Sequence, residues 1–145
     1  MMPISVNIDP IKTIRFQIEI CPISWKVGTI GGNGRSIVKP ESLKVYQEAF
    51  ILQALRWRPE KKYMELPVCL MMNFLMPLPK SMEGYTGSHI KKSDGTNLFK
   101  ATEDAMTGVF YKDDCQVCVG LFSKSYVRTS QDKPFVEVKI SYLKE

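Results

Sequence analysis

No apolar run in this chain approaches the roughly 18 residues that a membrane-spanning helix needs. The longest, Leu66 to Pro77, is interrupted by Pro67 and Asn73 and has the length of a buried strand. The first residues, MMPISVNIDP, have no basic segment followed by an apolar one. No signal peptide is therefore expected, and a cytoplasmic protein is. Cysteine is scarce, with 4 in 145 residues. Cys115 and Cys118 have CxxC spacing, but they sit in an apolar alternating run that reads as a strand. There, positions i and i+3 point to opposite faces, which suits neither a redox pair nor a zinc knuckle. Cys21 and Cys69 are isolated, so reduced and mostly buried thiols are expected. Residues 23–38 are glycine-rich yet lack the G-K-[ST] ending of a phosphate-binding loop, and read as a hairpin or loop. With no repeat, low-complexity tract or linker, residues 1–145 are expected to form one domain.

The chain is 44% hydrophobic and 24% charged, as ordinary globular domains are. Its net charge of +5 favours an anionic partner. The cations are spread along the chain, among them Lys39, Lys44, Arg56, Arg58, Lys61 and Lys62. Alternation over Ile14, Phe16, Ile18 and Ile20 predicts a half-buried strand. Pro40 opens a helix to about Trp57, with Leu43, Tyr46, Phe50 and Ala54 as its apolar stripe. Val68–Leu75 reads as a central strand, and two more close the chain, from Gln116 and from Pro134. The expected fold is α+β: a mixed sheet of four to five strands with two main helices packed on it.

The segment His89–Val117 carries the chemistry. Asp94, Gly95, Thr96 and Asn97 read as a turn into a helix, with Thr96 or Asn97 as its N-cap. Leu98, Ala101, Ala105 and Met106 supply its apolar face, and Gly108 stops it. Asn97, Lys100 and Asp104 share the other face. Such a helix is about 16 Å long. The stretch Gly108–Asp114, if extended, spans about 23 Å, enough to return Asp113 and Asp114 to the neighbourhood of Asp94. Carboxylates gathered in a basic protein suggest a hard divalent ion, Mg²⁺ above all with Mn²⁺ as an alternative, held against a phosphate backbone. Singly, each of these residues has an ordinary explanation as a turn, a cap or a wet helix face; in register they make a pattern.

That pattern resembles the RusA family of Holliday junction resolvases, whose core reads approximately H-x-x-K-P-D-x-D-N-L-x-K, then an acid within the helix, then D-D-x-Q-V. Here His89, Lys92, Asp94, Asn97, Leu98 and Lys100 are followed by Asp104 and by Asp113, Asp114, Gln116 and Val117. The resemblance implies that Asp94 and Asp114 are metal-binding catalytic acids, with Asp113 beside them. It implies that Lys100 contacts the scissile phosphate and that Asn97 holds the turn. Lys91, Lys92, Asn97, Lys26 and Arg35 become candidate DNA contacts, the last two because the corresponding segment lies near DNA in similar proteins. It implies paired nicks in four-way junction DNA, a homodimer, and a place in recombination or repair in a bacterial or phage-infected cell, often prophage-encoded. Two positions depart from the pattern. Ser93 stands where proline is usual, and Thr96 stands where a second aspartate is usual. The second leaves two readings open: a working nuclease, or a junction-binding protein whose cleavage is impaired.

Overall fold

The computed structural model describes residues 8–25, the backbone at 29–30 and 37–38, and residues 39–145. Its elements run β1 (Pro10–Ile18), β2 (Thr29–Ile30), β3 (Ile37–Val38), α1 (Glu41–Ala54), β4 (Val68–Met76), α2 (Gly95–Met106), β5 (Val117–Tyr126) and β6 (Phe135–Leu143). Four strands form one mixed sheet in the order β1-β6-β4-β5. β6 pairs antiparallel with both β1 and β4, whereas β4 and β5 are parallel. A parallel pair needs a crossover, and α2 supplies it. The expected α+β sheet with two main helices is what forms. β2 and β3 make a separate two-stranded ladder.

The periodicities explain the layering. Leu70, Met72, Phe74 and Met76 point from β4 to one face, and Val136, Val138, Ile140 and Tyr142 do so from β6. Leu43, Tyr46, Phe50 and Ala54 of α1 and Leu98, Ala101 and Met106 of α2 meet them in one cluster. Burying each such side chain contributes roughly 1.5–3 kcal/mol before entropy is counted. Two hydrogen bonds tie the helices together. The Tyr46 and Thr102 hydroxyls pair at 2.8 Å, and Gln47 Nε2 donates to the Ala101 carbonyl at 2.9 Å.

The cysteines differ from expectation. Cys69 is buried, but Cys21, Cys115 and Cys118 are exposed, and all four are free thiols. Cys115 lies in a 3-10 turn ahead of β5, and the outer edge of β5 leaves Cys118 open.

Candidate active site on the crossover helix

The start of α2 is held under tension. Ser93 has φ +89°, a left-handed conformation costly for any residue with a Cβ and closed to proline. The ammonium of Lys124 on β5 secures the turn by donating to the carbonyls of Lys91 at 3.1 Å and Ser93 at 2.8 Å. Lys124 therefore serves this turn. Asp94, not Thr96 or Asn97, is the N-cap, and its side chain makes no capping hydrogen bond. Gly95 follows because a Cβ there would meet the Phe122 ring at 2.2 Å.

The far end of α2 is closed by a tight return. Gly108 (φ +87°) donates to the Tyr111 carbonyl at 2.7 Å, and Phe110 N–H reaches the Met106 carbonyl at 3.0 Å. The buried Tyr111 hydroxyl donates to the Glu103 carbonyl at 2.8 Å. Asp113 then caps the 3-10 turn Asp114–Gln116, accepting from Cys115 N–H at 3.1 Å. Gln116 completes the clasp: its Oε1 accepts from Asp113 N–H at 2.9 Å, and its Nε2 donates to the carbonyls of Met64 and Leu66. The Cys115 N–H above all holds the Asp113 carboxyl below its ordinary range.

Asp114 is thereby fixed beside the last turn of α2. Oxygens of Glu103, Asp104 and Asp114 all lie within 4.8 Å of one another, with the first two half-buried and the third exposed. At such spacing each like-charged pair repels by roughly 1–4 kcal/mol, depending on the local dielectric. Burial, then Asp114 and Asp104, pushes the Glu103 carboxyl up to about 7. Burial also raises that of Asp104, opposed by Lys100 and Lys39. Lys39 donates to Gln47 Oε1 at 2.6 Å, which holds it near the α1–α2 seam.

This grouping differs from the convergence expected of Asp94, Asp113 and Asp114. Asp114 does return to α2, but to its end. Asp94 and Asp113 are not members of the group. Ten residues of helical rise put Asp94 about 15 Å from Asp104. The reason is the curl at Thr107–Tyr111: the segment folds into a turn instead of running extended, so the chain climbs back by little. Thr96 is exposed on the first turn, about 12 Å of helix from Asp104, so an aspartate there would not join the group either.

Asp94 instead borders an open cleft of about 360 Å³ with Lys92, Asn97, Ser24 and Trp25. Trp25 N–H donates to the Asn97 carbonyl at 2.8 Å, and Lys100 Nζ sits 5.0 Å over the Trp25 ring. Lys100 thus stands between the cleft and the acids. Lys92 lines the cleft, and both it and the preceding Lys91 are exposed. Lys26 and Arg35 fall outside the described residues. His89 is buried against Tyr126, with ring centroids 4.7 Å apart.

A sequence profile of the family described as endodeoxyribonuclease RusA matches residues 24–141, most of the chain. The chain belongs to the RusA endodeoxyribonuclease family. Membership implies an endonuclease that resolves Holliday junctions and takes DNA as its substrate, and RusA nucleases are generally dependent on a divalent metal. A comparison with curated proteins gives no match. The Glu103–Asp104–Asp114 group suits a hard cation, since three oxygen donors are crowded together and their like charges call for a counter-ion. No described helix is long and apolar enough to cross a membrane.

Two members of the site eluded the sequence reading. Glu103 lies a third of a turn away from the Asn97–Lys100–Asp104 stripe, and the tight return alone makes it a neighbour of Asp114. Lys39 comes from ahead of α1, and nothing local in the sequence connects it to Asp104.

Proposed function

We infer that this RusA-family chain is a metal-dependent junction resolvase whose cutting centre is the Glu103–Asp104–Asp114 group. The observation that carries the reading is the approach of those three carboxylates on the crossover helix, with Lys100 on the adjoining turn. An Mg²⁺ or Mn²⁺ ion held by them supplies activation of a water and polarisation of a phosphoryl oxygen. Asp104 and Asp114 would hold the ion. Glu103, near half-ionised at neutral pH, is placed to hold or release a proton beside the attacked phosphate. Lys100, steadied by Trp25, faces the scissile phosphate and the charge that develops on it.

The cleft at the other end of α2 receives the neighbouring stretch of strand. Lys91 and Lys92 neutralise phosphates, and Asn97 offers its side-chain amide. Asp94 is assigned there, in positioning or in a second metal contact, rather than in the main group. Asp113 is a positioning residue that sets the turn bearing Asp114. Lys26 and Arg35 remain proposed DNA contacts. Two symmetric nicks call for a homodimer. Recombination and repair, with a prophage as one setting, supply the context.

The impaired-cleavage reading rests on Thr96. Because residue 96 is remote from the three acids, Thr96→Asp is expected to change nicking by less than about threefold. A gain of about 100-fold with unchanged junction binding would favour impairment instead. The direct test of the function is a synthetic four-way junction incubated with the protein. Paired symmetric nicks should appear with Mg²⁺ or Mn²⁺ and vanish with EDTA. Nicking that persists in EDTA, or no nicking with either metal, would overturn the assignment.

A further inference from the structure

Lys39 stands beside the acidic group and pairs with none of its carboxylates. Its ammonium donates instead to the neutral Oε1 of Gln47 at 2.6 Å, and among the described residues it forms no ion pair. Gln47 is buried on α1, at 7% exposure. Its Nε2 donates to the Ala101 carbonyl of α2 at 2.9 Å, so both ends of the amide are engaged, one by a helix and one by a lysine. Ala101 and Asp104 are three residues apart and share a face of α2, about 4.5 Å apart along its axis. The tether therefore holds the ammonium on the α1 side of the acids, and its charge reaches Asp104.

The choice of partner is informative. A lysine beside three carboxylates gains more from an ion pair than from a bond to a neutral amide. Gln47 nevertheless holds Lys39, which leaves Asp104 open to a cation and the ammonium's charge uncompensated. An ammonium has three N–H donors, and Gln47 takes one. Lys39 is exposed, so the others are open to an incoming anion.

Lys100 approaches from another flank. It follows directly before Ala101, about 100° away around the helix, and its ammonium lies over the Trp25 ring. The acids thus lie between two steadied cations, neither of them spent on a carboxylate. The scissile phosphate has its partners in the ion and Lys100. Each nucleotide of the cut strand carries a further negative charge, so the phosphates on either side of the cut enter with it.

We propose that Lys39, docked on the α1–α2 seam by Gln47, binds a phosphate adjacent to the scissile one on the cut strand and so fixes the register of that strand over the acids. The proposal rests on the Glu103–Asp104–Asp114 reading above and deepens it by a contact from the α1 side. Gln47 is the positioning residue, and Lys39 makes the contact.

The test is single-turnover nicking of a four-way junction in Mg²⁺ below saturation, where the rate reports binding and cleavage together. A neutral methylphosphonate replaces one phosphate at a time on either side of the cut. Lys39→Met keeps most of the side-chain stem and removes the charge; it should slow nicking about 10- to 100-fold on the unmodified junction. At one of the two neighbouring positions the methylphosphonate should slow wild type by a similar factor and slow Lys39→Met by less than about threefold further. Lys92→Ala should remain as sensitive as wild type to the same modification. Gln47→Leu, with its fold checked by circular dichroism, keeps the charge but frees it, and should lose part of that coupling. If Lys39→Met is slow yet loses as much as wild type at both positions, Lys39 acts on the acids alone and the phosphate contact is wrong. If a folded Gln47→Leu keeps the full coupling, the docking is wrong. Asp104→Asn separates the two levels. Asp104→Asn inactive with Lys39→Met at full rate overturns this inference alone, whereas full activity in Asp104→Asn overturns the cutting centre on which it rests.

Discussion

Glu103 concentrates the electrostatic consequences of the site in one carboxyl. In the folded chain it titrates at about 7, against 4.5 for an ordinary glutamate. As pH rises between those values, the unfolded chain gives up a proton that the folded one keeps. Stability of the metal-free protein therefore falls as pH rises from about 4.5 to 7. Thermal melts in EDTA should show that decline, Glu103→Gln should flatten it, and Mg²⁺ should offset it most above neutral pH, where the ion meets least competition from protons. A decline of equal slope in Glu103→Gln would remove this residue as its cause. Ser93 makes a second test at this scale. Ser93→Gly should raise stability by about 1 kcal/mol by relieving the left-handed conformation. Ser93→Pro should lower it by about 3 kcal/mol or more, because proline cannot reach φ +89°. The reverse order in denaturant unfolding would show that the turn does not have this geometry.

Among the elements, the one most legible from sequence was α2, and the one that misled was the turn after it. The spacing of Leu98, Ala101 and Met106 identifies the buried face, and Asn97, Lys100 and Asp104 do share the wet one. The sheet strands were equally legible, since Phe16, Ile18 and the β4 residues alternate or run apolar as burial requires. The path of Gly108–Asp114 was not. Its direction depends on where Tyr111 is buried and on which carbonyls Gln116 finds, namely those of Met64 and Leu66, about fifty residues away in sequence. Motif order gave the acids, and tertiary hydrogen bonds chose which of them meet. The clasp can be tested as an element. Gln116→Ala removes three bonds of which two are to backbone carbonyls, and should lower stability by about 1–3 kcal/mol. Because the same change frees the turn bearing Asp114, nicking should fall further than junction binding. Equal loss of both would show that the clasp matters to folding alone.

For the whole molecule, the net charge of +5 and the lysines around the cleft predict junction binding that weakens steeply with salt. Lys92→Ala should lower the slope of log affinity against log salt by about 1. An unchanged slope would exclude a phosphate contact at that residue. The fold itself sets Glu103 and Asp104 on a crossover between parallel strands, so a few residues after Met106 determine whether Asp114 meets them at all.

The most direct measurement is the single-turnover nicking rate of a four-way junction in Mg²⁺, with junction affinity recorded beside it, for Asp114→Asn, Asp104→Asn and Asp94→Asn. Loss of at least about 100-fold in rate with intact affinity is expected for the first two, and a markedly smaller loss for Asp94→Asn. Full activity in Asp104→Asn together with abolition in Asp94→Asn would contradict the account, moving the cutting centre to the opposite end of the helix.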